Sequence, residues 1–292
     1  MKTATMKTAI AVQNILFPTD FSRQSMLALP YALAMARKYG SKLYPAHIHP
    51  EPLGAPAMVR EGLAGLGVRP HDETADAAMQ LREQLPYPHE MIERRGEFWT
   101  ELSEVIAEKQ IDLIVTGTHG RSGVSKLLVG SAAETIFRHA TCPVLTVGPA
   151  VSGEPGSIAD LHEILFPTDF SAASLAALPY AVSLAEENRS RLYLLHVVQD
   201  SVEAEDASAS GRLRSLIPPT VELGCEPRIF VQYGLPAQKI NEFAEELGVD
   251  LIVMGVRHPP SYLEVATHLR LATAYKVASQ AVCPLLTIRA LK

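Results

Sequence analysis

The 292-residue sequence predicts an α/β protein built of two tandem doubly wound parallel-sheet, Rossmann-like domains. Three observations predict it. First, the chain repeats itself. Ile15-Leu-Phe-Pro-Thr-Asp-Phe-Ser22 returns letter for letter as Ile164–Ser171, and Leu29-Pro-Tyr-Ala32 as Leu178–Ala181, at an offset of 149. Gly96 and Asp112–Val115 return as Gly234 and Asp250–Val253 at an offset of 138, and Cys142-Pro143 as Cys283-Pro284 at 141. A period this long is a duplicated domain, not a solenoid unit. The changes in offset place insertions and deletions in surface loops. Second, apolar, β-branched runs alternate with helical stretches, the signature of a parallel sheet covered on both faces. Third, Gly148–Ser157 is rich in Gly, Pro and Ser and reads as a linker. It divides the chain into domains 1–149 and 150–292.

The elements follow in order. Asn14–Phe17 and Glu163–Phe166 are apolar runs stopped by Pro-Thr-Asp, so each reads as a buried strand ending at a turn. Asp20 or Ser22, and Asp169 or Ser171, suit the cap of the next helix. Those helices are expected near 25–39 and 174–188, with Pro30 and Pro179 early, where proline is tolerated. Second strands fit Lys42–Ile48 and Arg191–Val198; third strands fit His89–Arg95 and Pro227–Tyr233. Helices over 98–109 and 236–247 precede fourth strands Leu113–Thr116 and Leu251–Met254. Final helices lie near 130–139 and 271–280, and final strands are Val144–Val147 and Leu285–Ile288. Residues 50–86 form an excursion with a helical stretch near 73–85. Its shorter counterpart is 199–219.

Composition excludes several classes. Hydrophobic residues make up 47% and charged residues 20%, as in soluble globular chains. No apolar run approaches the ~20 residues of a membrane span. The opening Met1–Ala9 lacks the apolar core of a secretory signal, so cytoplasm is the expected compartment. Three cysteines make no disulfide framework; Cys142 and Cys283 are expected as buried small residues. Residues 1–149 carry 15 Lys+Arg against 15 Asp+Glu, and residues 150–292 carry 11 against 17, net −6. Neither half offers the basic face of a nucleic-acid binder, and the first half repels a polyanion less.

The chemistry concentrates after the fourth strand of the first half, in Gly117-Thr-His-Gly120-Arg121 and Gly130-Ser131-Ala132. Glycines at 117 and 120 let the backbone turn sharply and approach a ligand closely. Gly130-Ser131 opens a helix, whose first-turn amides are unpaired and, with the helix dipole, attract an anion. This is not a Walker A loop, since no Gly-Lys-Ser/Thr follows at the required spacing. In such sheets ligands bind beyond the carboxyl ends of the strands, where Thr19-Asp20, His47-Ile48 and Gly117 should converge. His47 and His196, in apolar strands, read as hydrogen-bonded core histidines. His47 and His49 share a strand face, but no third ligand is apparent. Trp99 reads as packing.

The chain here resembles the universal stress proteins, whose ATP-binding members carry Gly-x2-Gly-x9-Gly-Ser/Thr after the fourth strand. Gly117, Gly120, Gly130 and Ser131 match every position, and Pro18–Ser22 and His47-Ile48 match as well. The resemblance implies an adenine-nucleotide alpha hydrolase-like fold. It implies that Asp20, with Pro18 and Thr19 beside it, contacts the ribose and adenine side, and that Ile48 faces adenine. Gly117, His119, Gly120, Arg121, Gly130, Ser131 and Ala132 would line the ribose and phosphates. In the second half Gly255 is kept, but Val256–Ser261 replaces the glycine turn and Leu271-Ala272 the Gly-Ser pair, so that half is expected to have lost the phosphate cradle. The implied function is an ATP-binding stress-response or signalling module, with any metal a Mg²⁺ held mainly by phosphate oxygens and water. The expected partners are an adenine nucleotide, a second copy in a homodimer and a protein not identified by the sequence, with no nucleic acid and no membrane. Two rivals remain: a slow ATP hydrolase or nucleotidyl- or phosphoryl-transfer enzyme, and a nucleotide-free scaffold or chaperone-like protein. No paired carboxylates flank the cradle, so slow or absent hydrolysis is expected. Single-domain members pair through the final strand, so Val144–Val147 should lie antiparallel to Leu285–Ile288.

Overall fold

The computed structural model describes residues 10–50, 73–118, 131–152, 154–199, 203–219, 221–257 and 273–290. In the first half the order is β1 (Asn14–Pro18), α1 (Arg23–Met26), α2 (Leu29–Tyr39), β2 (Lys42–His49), α3 (Glu73–Gln84), β3 (Ile92–Arg95), α4 (Phe98–Glu108), β4 (Leu113–Gly117), α5 (Ser131–His139) and β5 (Val144–Val147). The second half repeats it as β6 (Glu163–Pro167), α6 (Ala172–Leu175), α7 (Leu178–Asn188), β7 (Arg191–Val198), α8 (Glu203–Ser215), β8 (Arg228–Tyr233), α9 (Pro236–Glu246), β9 (Leu251–Val256), α10 (Thr273–Gln280) and β10 (Leu285–Arg289).

The strands form one ten-stranded sheet in the order β3-β2-β1-β4-β5-β10-β9-β6-β7-β8. Each half is parallel within itself. The halves meet at the one antiparallel pair, β5 with β10, in register Leu286↔Leu145. This is the junction expected from the final strands. The apolar runs account for the strands: Ile15, Leu16 and Phe17, and their twins Ile164, Leu165 and Phe166, are all 0% exposed. On the face that carries α2 and α7, a single core runs across the junction, joining Ile15, Phe17 and Ala32 to Ile164, Phe166 and Ala181. The other face holds two cores, one around Leu16, Leu102 and Ile136, the other around Leu165, Phe243 and Val277. Phe137 of α5 belongs to the second of these, so a first-half helix packs into the second half.

Three expectations need adjustment. The helix expected over 25–39 is two pieces. Pro30 has no amide and its ring crowds the carbonyl four residues back, so the turn before it tightens, with Leu27 N bonding Gln24 O and Ala28 N bonding Ser25 O. Pro179 breaks its copy the same way. β3 starts at Ile92 rather than His89, which makes only an isolated bridge to Leu43. The linker is tied down: Ser152 N bonds Val282 O, Pro155–Ala159 forms a 3₁₀ turn, and Ile158 is buried.

Candidate functional site

Within the first half the chain reverses direction along the sheet between β1 and β4. At such a switch point the segments leaving the two strands diverge and open a crevice at their carboxyl ends. Pro18 ends β1 and Gly117 ends β4, so predicted residues form both lips. Thr19 is buried; its amide donates to Ala46 O at 2.9 Å and its hydroxyl accepts from Phe21 N at 2.9 Å. These bonds turn the chain so tightly that Phe21 sits at φ 58°, a left-handed conformation costly for a residue with a Cβ. Asp20 is half-buried there, and its Oδ1 accepts from Ser22 N at 3.0 Å. Ser22 is the cap, accepting from Ser25 N at 3.1 Å, while Asp20 braces the turn that presents it. His47 is a core histidine: its Nδ1 lies 2.8 Å from Thr19 O. Ile48 is buried near the end of β2.

Gly117 is required where it stands. A Cβ there would lie 2.9 Å from Gln24 O and 3.3 Å from Ser25 Cα, because α1 packs directly on the strand end. Thr118 is buried, and its amide bonds Val147 O at 3.1 Å. His119, Gly120, Arg121 and Gly130 lie outside the described residues. Ser131 and Ala132 open α5 and are exposed. α5 crosses back from β4 to its parallel neighbour β5, so its amino end faces the carboxyl end of the sheet. The structure therefore brings Pro18, Thr19, Asp20, Ile48, Gly117, Ser131 and Ala132 to one rim. Trp99 packs its ring 5.2 Å from that of His139.

The second half copies the turn. Thr168, Phe170 (φ 60°), Ser171, Ser174 and His196 repeat the bonds of their twins. Arg257 donates to Asp169 Oδ2 at 2.9 Å, and the Arg212 guanidinium stacks 3.8 Å above the Phe170 ring. Burial opposes ionisation of Asp169, but hydrogen bonds from Ser171 and Ser174 and the Arg257 guanidinium outweigh it and hold the carboxyl down to about 2. The helix also sits closer: a Cβ on Gly255 would lie only 1.9 Å from Ala173 O. Among the described residues no three His, Cys, Asp or Glu side chains are grouped to hold a metal ion, and no helix is long and apolar enough to cross a membrane.

Sequence reasoning did not see the part played by Asp112 and Asp250. At the amino ends of the strands, Asp112 accepts from Gln13 N and Asn14 N at 2.8 and 2.9 Å, and Asp250 from His162 N and Glu163 N at 2.7 and 2.9 Å. Their duplicated Asp-Leu-Ile-Val context was the available signal. It also did not see Arg257 or Arg289, whose counterparts in the first half, His119 and Gly148, are not arginines.

A doubly wound parallel sheet with a switch point between β1 and β4 places the protein in the α/β class. The universal stress protein family model matches residues 11–148 and again 161–289, and the chain belongs to that family. Over 144 residues it is 31% identical to Universal stress protein MJ0531 of Methanocaldococcus jannaschii, covering 46% of this chain and 81% of that one. It is 29% identical over 143 residues to Universal stress protein G of Escherichia coli O157:H7, covering 43% and 97%. Among solved structures it resembles a universal stress protein from Archaeoglobus fulgidus at a TM-score of 0.67 and 21% identity, with 94% of this chain and 98% of that one covered. A putative universal stress protein from Pseudomonas aeruginosa is similar at a TM-score of 0.62 and 19% identity, with 96% and 94% covered. At those identities the likeness is one of fold.

Proposed function

We propose that the protein binds one adenine nucleotide, ATP, per chain at the strand-end crevice of the first half, and that the second half no longer does so. The asymmetry of the two crevices carries this reading. The first has the glycine pattern of Gly117–Ser131 and a helix amino end at its rim. The second keeps Gly255 but has Val256–Ser261 in place of the glycine turn and Leu271-Ala272 in place of the Gly-Ser pair. The residues fit a nucleotide: Asp20 and Ile48 on the ribose and adenine side, and Gly117, His119, Gly120, Arg121, Gly130, Ser131 and Ala132 along ribose and phosphates. Backbone amides and a helix amino end recognise phosphate without a dedicated metal cage, and any Mg²⁺ would arrive with the phosphates. The protein then acts by recognition: bound ATP engages the 117–131 segment and alters a surface that another protein reads in a stress response.

Isothermal titration tests this. The expected stoichiometry is near one, and Gly120→Asp abolishes it through bulk and like-charge repulsion. A stoichiometry of two, with one site lost on Asp169→Ala, overturns it. Bound ATP should also persist over long incubation; rapid turnover of many equivalents, removed by a point change in the glycine segment, would favour the enzyme.

A further inference from the structure

β10 ends in Arg289, which is only 7% exposed. Its guanidinium leaves the second half. Nε donates to Ala140 O at 2.9 Å and Nη2 donates to Phe137 O, both at the carboxyl end of α5 in the first half. Nη1 donates to Arg257 O at 2.8 Å, just past β9. The last carbonyls of a helix have no intrahelical donor and carry its partial negative charge. A guanidinium, which supplies five donors in a rigid fork, answers both needs. Burial lowers the Arg289 pKa from its ordinary value, and an arginine so placed stays charged.

The pseudo-twofold supplies an internal control. At the offset that relates the final strands, Arg289 matches Gly148, Phe137 matches Ala278 and Ala140 matches Ala281. A Cβ on Gly148 would lie 2.6 Å from Ala278 O and 3.7 Å from Ala281 O. The same place therefore holds an arginine on one side of the axis and has no room for a methyl group on the other. Among the described residues α5 alone is gripped in this way, and its amino end, Ser131, stands at the first-half crevice. The helix is about 13 Å long at roughly 1.5 Å per residue, so a tilt set at one end is felt at the other. Phe137 seats the same turn in the second half's core. Through Arg257, whose side chain holds Asp169, the grip continues to the strand-end turn of the second half.

We propose that Arg289 is a positioning residue through which the second half orients α5 and so sets the strength of phosphate recognition at the amino end of that helix. The proposal rests on the nucleotide reading above. The test compares ATP with adenosine, which shares the base and ribose but lacks phosphates, on the full chain and on Arg289→Met and Arg289→Lys. Arg289→Met should weaken ATP binding about tenfold, within the usual range of coupling between sites, and leave the adenosine Kd within about twofold. Arg289→Lys should fall between, and serves alone if the methionine variant does not fold. Amide exchange over 131–139 should accelerate in the variants, since local opening of a helix is read there. Equal weakening of ATP and adenosine, or an unchanged ATP Kd, overturns the proposal. If the unaltered protein binds neither ligand, the nucleotide reading fails and exchange decides on Arg289: acceleration confined to 131–139 upholds the grip, and unchanged exchange removes it.

Discussion

Two glycines measure the difference between the halves most directly. Gly117 and Gly255 are twins in β4 and β9, yet an added methyl would meet Gln24 O at 2.9 Å in one and Ala173 O at 1.9 Å in the other. Both contacts are with backbone and force the helix start to shift, but the one at 1.9 Å demands about 1 Å more movement than the one at 2.9 Å. Gly255→Ala should therefore destabilise more than Gly117→Ala, within the roughly 1–3 kcal/mol typical of overpacking, as read from urea midpoints. Equal midpoints would mean that the two helix starts sit equally close to their strand ends. Asp169 gives a pH signature. Its folded pKa, about 2, lies below its ordinary 3.8, so its stabilising contribution is present above about 4 and is lost as pH falls through about 2. Asp169→Asn should lower stability near neutrality by less than about 1 kcal/mol, because the ion pair is solvent-screened. That difference should vanish toward pH 2 in parallel denaturation curves; a gap that persists at pH 2 would assign the effect to packing. Thiol chemistry follows burial. Desolvation pushes Cys142 up to about 11 and Cys283 up to about 12, so both thiols stay protonated at pH 8. Alkylation mapped by mass spectrometry should find Cys283, the buried one, labelled last.

At the scale of elements, β1, β2, β4 and β5 were legible with their copies because each is a local apolar run, and burial on both faces leaves such a run few alternatives. The Pro18–Ser22 turn was legible for a similar reason: it is a short contiguous stretch whose turn and cap chemistry is local. The break between α1 and α2 was only half legible, since Pro30 announces an early-turn constraint but not where the preceding turn tightens. Arg257 and Arg289 were not legible at all. Their roles arise from segments brought together over long sequence separations, Arg257 with Asp169 and Arg289 with Phe137 and Ala140. The junction strands are open to test. β5 lies between β4 and β10, a central position where proline breaks a ladder that has no solvent to replace it. Leu145→Pro should loosen the contact between halves and speed amide exchange in Leu285–Arg289 of the other half. Exchange unaltered in β10 would mean that the pairing does not hold the halves together.

At the scale of the whole molecule, the core shared across α2 and α7 predicts how the chain melts. Two domains joined only by a linker would unfold independently; halves that share Ile15, Phe17, Ile164 and Phe166 in one core should not. Calorimetry should show one transition, with calorimetric and van't Hoff enthalpies in agreement; two resolved transitions would contradict it. The same junction fixes composition as well as stability. With β5 and β10 spent on each other, the sheet's remaining edges among the described residues are β3 and β8, and neither is a final strand. Because the two halves are synthesised as one polypeptide, their encounter is intramolecular and insensitive to dilution. One second half thus accompanies every first half, a ratio that no change in expression can shift. Strand exchange with separate single-domain relatives has no vacant final strand to enter, so the choice of companion is written in the gene rather than settled by mass action.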